Sequence, residues 1–183
     1  HNNAKKIETT AAGVTVTGAL NETAPYSGKI LQRHSVSPNL GSHAVGSSSW
    51  TEVASGLRVS ITPKFSNSIL EIECIFMFGG RNSTNIQHFK LYNITDSADI
   101  NLDSAGSRQG VHGSSRQVDA DSNDVDQMII RARTTAQNTN ATTFGFYSKN
   151  ESGTLSKYSF TSPSNSSALS HAKPILTVTE IRV

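Results

Sequence analysis

The chain has a single cysteine, Cys74, among 183 residues, so no disulfide can close within it. Charged residues make up only 16%, against roughly a quarter in ordinary globular chains. Sixteen Lys and Arg face 14 Asp and Glu, leaving a net charge of +2, and the basic residues form no run. That charge is too small and too scattered to track a phosphate backbone, so no nucleic-acid partner is expected. No apolar stretch approaches the roughly 18 residues that span a bilayer, so no membrane insertion is expected. Low charge also argues against intrinsic disorder, which goes with high net charge. No amphipathic helix of convincing length is legible.

Small polar residues take the place of what is missing. Ser contributes 27, Thr 18 and Asn 14, near a third of the chain. These side chains compete for backbone hydrogen bonds and are poor inside helices. Thr together with Val, Ile and Phe suits strands, and 13 Gly suit the turns between them.

The period-2 pattern of half-buried strands recurs along the chain. Leu57, Val59 and Ile61 alternate with Arg58 and Ser60. Leu70, Ile72, Cys74, Phe76 and Phe78 make one unbroken apolar face. On the other face Glu71 and Glu73 give way to Ile75 and Met77, so that strand needs a cover on both sides at its end. Cys74 reads as a buried core thiol and Trp50, beside Val53 and Leu57, as a core plug. Ten strands are expected over 29–37, 50–62, 69–79, 86–94, 99–102, 111–118, 127–135, 142–148, 155–160 and 173–183. Short strands separated by Gly, Pro and Ser turns define an all-β, antiparallel, jelly-roll-like β-sandwich.

The first 20 residues differ. Two short strands flank Ala11-Ala12-Gly13, with only Ile7, Val14 and Val16 as apolar surface. Such a hairpin cannot stand alone. Copies of the chain wound together would cover it, and a homotrimer is expected. The organisation is then a shaft-like β-hairpin over 1–20, a junction over 21–28 and a sandwich head over 29–183.

The segment from Lys5 to Gly18 resembles the shaft repeats of tail-fibre and other fibrous virion proteins of marine tailed bacteriophages, cyanophages among them. Gly28-Lys29-Ile30-Leu31-Gln32 resembles the start of their C-terminal head domain. So do Ser49-Trp50-Thr51-Glu52-Val53, the run Leu57 to Pro63, and Ser68-Ile69-Leu70. Ile175 to Ile181 resembles their last strand. The match covers both ends and the first third; residues 81–170 resemble nothing in particular. The resemblance implies a trimeric fibre head on the virion surface, in contact with other virion proteins and with a host cell-surface polysaccharide or protein. It supplies no list of functional residues; no catalytic residue, metal or cofactor is expected.

Several patterns bear on chemistry. Glu71 and Glu73 share one strand face, roughly 7 Å apart along the strand, a spacing reminiscent of paired glycosidase acids. No third acid or aromatic platform accompanies them in sequence, and a solvated strand face is the plainer reading. Asp119 to Asp126 opens like a calcium loop but lacks its central Gly and closing Glu, so an acidic turn is expected. The six His are dispersed without zinc-like spacing. No Gly-x-Ser-x-Gly elbow or phosphate-binding loop occurs. Six Asn-x-Ser/Thr triplets occur, little above chance for this composition. The competing class to a fibre head is a cellular or secreted lectin-like sandwich, or a purely structural decoration fibre.

If strands alternate in direction, the loops facing away from the shaft are 38–49, 80–85, 103–110, 136–141 and 161–172. Their polar residues Asn39, His43, Arg81, Asn82, Arg108, Asn138, Asn140 and Asn165 are the candidate receptor contacts.

Overall fold

The computed structural model describes residues 7–11, 13–16, 27–40, 42–45, 47–78, 86–116, 126–151, 156–159 and 173–183. Among these there is no helix. The strands are β1 (Ile7–Thr10), β2 (Gly13–Val16), β3 (Ile30–Val36), β4 (Ser42–Val45), β5 (Thr51–Glu52), β6 (Arg58–Ile61), β7 (Ile69–Phe78), β8 (Ile86–Asn93), β9 (Ala98–Asp99), β10 (Gly113–Arg116), β11 (Asp126–Thr135), β12 (Thr142–Asn150), β13 (Ser156–Ser159) and β14 (Ile175–Ile181). The fold is an all-β antiparallel sandwich. One sheet has the order β11-β7-β14-β3. The other runs β10-β8-β12, with β5 and β6 both on the far side of β12 and β9 beside β8. Two small ribbons, β1–β2 and β4–β13, form separate two-stranded sheets.

Alternation along each strand builds the core. Leu70, Ile72, Cys74, Phe76 and Phe78 of β7 meet Phe89 and Leu91 of β8, Phe144 and Phe146 of β12, and Leu176 and Val178 of β14. The Phe76 ring lies 4.5 Å from that of Phe146 and 4.9 Å from that of Phe89. Each such buried side chain contributes about 1.5–3 kcal/mol. Cys74 is fully buried as expected, and loss of hydration pushes its thiol pKa well up, helped by the neighbouring Glu73 charge.

At the end of the sandwich where the chain enters β3, called proximal below, Gly28 N donates to Arg182 O at 2.8 Å and Arg182 N to Lys29 O at 2.9 Å. A carboxylate, Glu180, is buried there. It accepts from Gln32 Nε2 at 2.6 Å and from the backbone N–H of Lys64 at 2.8 Å and of Phe65 at 3.3 Å. These bonds tie the β6–β7 turn to the last strand. Burial pushes its pKa up; the Ser68 hydroxyl, Gln32 and the two backbone donors outweigh that, and the net shift is downward. Ser68 Oγ is itself buried and outside ordinary hydrogen-bond geometry, yet near enough to favour the charged form.

The observed strands correct the expected ones at three places. The run 50–62 is broken into β5 and β6 by a turn in which Leu57 N donates to Ala54 O at 3.0 Å; Gly56 and Ser55 allow the chain to bend while Val53 and Leu57 stay buried. The loop 38–49 contains β4, which pairs with β13. β9 and β10 both run antiparallel to β8, at Tyr92–Asn93 and at Ile86–Phe89 respectively. They are two pieces of one edge strand, so the segment between them, including 103–110, is an excursion from that edge and not a loop at either end. Counting two reversing strands there inverted the directions expected for 111–118, 127–135 and 142–148, whereas the last strand runs antiparallel to β3 and returns to the entry end as expected. The loop 136–141 therefore lies at the proximal end, where Ala136 N donates to Ser68 O at 2.8 Å.

His112 holds the excursion in place. Leu91 N–H donates to its Nδ1 at 3.0 Å, and its Nε2 faces Ile100 O at 2.9 Å. Leu91 falls in the gap between the β9 and β10 pairings, and the imidazole supplies the acceptor that the broken edge strand does not. Nε2 is then the protonated nitrogen, and the ring is neutral.

Candidate binding faces

Each sheet turns one face to the core and the other outward. On the outward face of the β11-β7-β14-β3 sheet, register places Ile129, Ile75 and Ile175 in one row. A second apolar row, near the proximal end, joins Ile69, Ile181 and Ile30. Ile129 is 52% exposed, Ile30 61% and Ile175 38%. Strand formation by β-branched residues explains their presence only in part; three neighbouring isoleucines on a wet face leave apolar surface uncovered.

Between the two rows runs a charged band. Arg131 Nε meets Glu73 Oε2 at 2.6 Å, and Arg133 Nε meets Glu71 Oε1 at 3.4 Å. Arg33, Thr177 and Thr179 complete an open groove of about 580 Å³. The two glutamates thus lie on one face, as their spacing predicts, but each carboxylate is opposed by its own guanidinium. Neither is placed as an isolated acid or base.

The opposite sheet carries a different outward face. β8 turns Phe89 and Leu91 inward and His88, Lys90 and Tyr92 outward; β12 turns Tyr147 and Lys149 outward. Trp50, directly before β5, folds onto this face. Lys90 Nζ is 4.6 Å from the Trp50 ring centroid and 4.6 Å from that of Tyr92. Lys90 also pairs with Asp99 and is only 5% exposed. The Tyr92 and Tyr147 rings lie 4.8 Å apart. Beyond Tyr147, Arg58 Nε pairs with Glu52 Oε1 at 2.6 Å. Trp50 is therefore no core plug: it is half-buried and packs on lysine ammonium groups. The outward period of β8 and β12 was readable in sequence, but the arrival of Trp50 over it depends on the β5–β12 pairing, which adjacency in sequence does not reveal.

The loop residues proposed as contacts do not converge. Asn39 is exposed and follows β3 at the distal end. His43 lies in β4 of the β4–β13 ribbon. Arg108 is exposed on the edge excursion, where Ala105 and Arg108 bridge each other. Asn138 and Asn140 are exposed at the proximal end, where Asn138 Oδ1 accepts from Asn140 N at 2.8 Å. Arg81, Asn82 and Asn165 lie outside the described residues, as do positions 119–125 of the acidic turn. Among the described residues no three His, Cys, Asp or Glu gather to hold a metal.

The class defined so far is an antiparallel β-sandwich with two chemically distinct outward faces, one with isoleucine rows on either side of an ion-paired band, the other aromatic and cationic. No protein-family model matches the chain. No curated protein matches it either.

Proposed function

We propose that the chain is a non-catalytic attachment protein of a virion: the jelly-roll-like head of a homotrimeric fibre, preceded by a short hairpin of shaft. The observation that carries this reading is the outward face of the β11-β7-β14-β3 sheet. Two rows of isoleucine flank a band in which Glu71 and Glu73 are each ion-paired across the ladder and Arg33 adds one further cation; the apolar rows suit burial against further copies of the same chain. The β1–β2 hairpin supports it. Its register sets Ile7 opposite Val16 and Thr9 opposite Val14, and a ribbon of that size needs outside support.

The strand pairings support the jelly-roll reading. Taking β3, β6, β7, β8, β10, β11, β12 and β14 as first to eighth, the hydrogen-bonded pairs include first with eighth, second with seventh, third with sixth and fourth with fifth. One long antiparallel ribbon wound over itself produces that set. The ion pairing of Glu71 and Glu73 supports the non-catalytic part. In this reading the partners are other virion proteins and a host cell-surface polysaccharide or protein, and the location is the particle surface.

Light scattering on the purified chain tests the assembly: a mass three times 19.6 kDa is expected, and a clean monomer overturns the fibre reading. Binding of the labelled chain to host cells tests attachment: saturable binding is expected, and its absence overturns that part.

A further inference from the structure

We infer that the outward face built by Trp50, Tyr92, Tyr147 and Lys149 is a binding site for an acidic glycan. The inference rests on the attachment reading and names its receptor chemistry.

Three of the chain's aromatic side chains gather on this face, and none belongs to the buried core cluster. Trp and Tyr join an apolar ring to a polar N–H or O–H and are enriched at interfaces where one end stays wet. Lys90 holds the group together from below, its charge answered by Asp99 and by the rings of Trp50 and Tyr92. Arg58 is likewise answered by Glu52. Lys149 differs. Its Nζ lies 5.6 Å from the Trp50 ring centroid, and it makes no ion pair among the described residues. Directly across the β8–β12 ladder stands His88, whose Nδ1 is buried without a hydrogen-bond partner. The face therefore combines an aromatic ledge with one cation, Lys149, that has no carboxylate partner among the described residues.

That combination selects among ligands. A pyranose lays its C–H face on an indole and leaves its hydroxyls to polar neighbours. A carboxylate or sulfate on the same sugar meets Lys149. A nucleic acid would need several free cations along a track, and this face offers one. A neutral glycan would leave the Lys149 charge without a counterpart.

Trp50 is the sole tryptophan, so its fluorescence reports on this face alone. The full chain is titrated with polygalacturonate, with dextran sulfate and with neutral dextran. A saturable change with one or both acidic polymers, and none with dextran, is expected; which polymer responds separates carboxylate from sulfate recognition. Lys149→Gln should weaken that binding at least tenfold and flatten its salt dependence while the melting temperature stays put. An equal response to dextran, or no response to either acidic polymer, overturns the inference. So does a Lys149→Gln variant that folds and binds as before. If that variant melts early, Lys149→Arg must restore both stability and binding, and failure to restore binding on a stable fold also overturns it. Host-cell binding that survives without any glycan response would sink this site and leave attachment standing. A glycan response without host-cell binding would do the reverse.

Discussion

Arg131 reaches across the β11–β7 ladder to Glu73, Nε to Oε2, at 2.6 Å. One step along the same ladder Arg133 repeats the contact with Glu71. Both carboxylates of this outward face are thereby answered, with Arg33 as an additional cation, and the isoleucine rows supply its apolar surface. Ile129→Glu places a charge in the distal row. Because Ile129 is 52% exposed, the isolated sandwich should lose no more than about 0.5 kcal/mol. The assembly should fall apart, so light scattering on the variant should return the single-chain mass. A variant that keeps the wild-type assembled mass would show that this row is not the contact.

The same ion pairs set a prediction about chemistry. Changing Glu71 and Glu73 together to Gln removes two solvent-exposed pairs, each worth about 0–1 kcal/mol. Thermal stability should move little, and any glycan turnover by the chain should be unaltered. A reducing-sugar assay checks this on host-surface glycans. Turnover in the wild type that disappears in the double variant would assign the glutamates a catalytic role.

His112 predicts a pH dependence. Burial is the main cause that lowers its pKa, with Lys90 adding to it; the Ile100 carbonyl and Asp99 oppose them but do not win. Protonation at Nδ1 would also cost the ring the bond from Leu91 N–H. The folded state therefore holds the proton less tightly than the unfolded chain. The stability contribution is complete above about pH 6.5, the ordinary His value, and is lost as pH falls through the lower folded value. His88 shifts the same way, through burial and then Lys149, so the wild type alone does not isolate the effect. The comparison is with His112→Gln. Urea midpoints should show the wild type ahead at pH 7.5, with its lead shrinking toward pH 5. A lead that is constant with pH would mean the imidazole does not titrate as its contacts require.

Much of the sandwich was legible because burial here follows period two. The apolar face from Leu70 to Phe78 and the last strand from Ile175 were placed by alternation alone. What alternation does not carry is direction. A broken edge strand and two reversing strands look alike in sequence, since Asp99 and Gly113 are separated by turn-rich chain in either case. The pairing of both pieces with β8 resolves them, and that is a long-range fact. The aromatic face was missed for a related reason. Tyr92 and Tyr147 each sit in a strand with an ordinary outward position, and only the β8–β12 register brings them together under Trp50. The paired glutamates were legible, but their arginine partners lie 58 and 62 residues further along the chain.

The last prediction concerns Glu180, the buried carboxylate of the proximal end. Glu180→Ala leaves Lys64 N–H, Phe65 N–H and one bond of Gln32 without their acceptor. Each unmet buried donor costs about 1–3 kcal/mol, so a loss near 3 kcal/mol is expected even if water satisfies part of the site. For a chain of this size that corresponds to a melting temperature lower by about 6–12 °C. Glu180→Gln should cost less, about 1 kcal/mol. Its amide oxygen still accepts from the two backbone donors, but its amino group faces Gln32 Nε2, which also donates to Thr62 O at 2.7 Å and cannot turn without losing that bond. The two variants also differ in acid. The wild-type carboxylate has a folded pKa below its ordinary value, so its contribution is present above about pH 4.3 and lost as pH falls through the lower folded value. Neither variant carries that titration. Melting curves from pH 7 down to pH 3 should therefore show the wild type converging on Glu180→Gln at the acid end. Parallel curves would mean that the carboxylate is not held in its charged form by the turn it anchors.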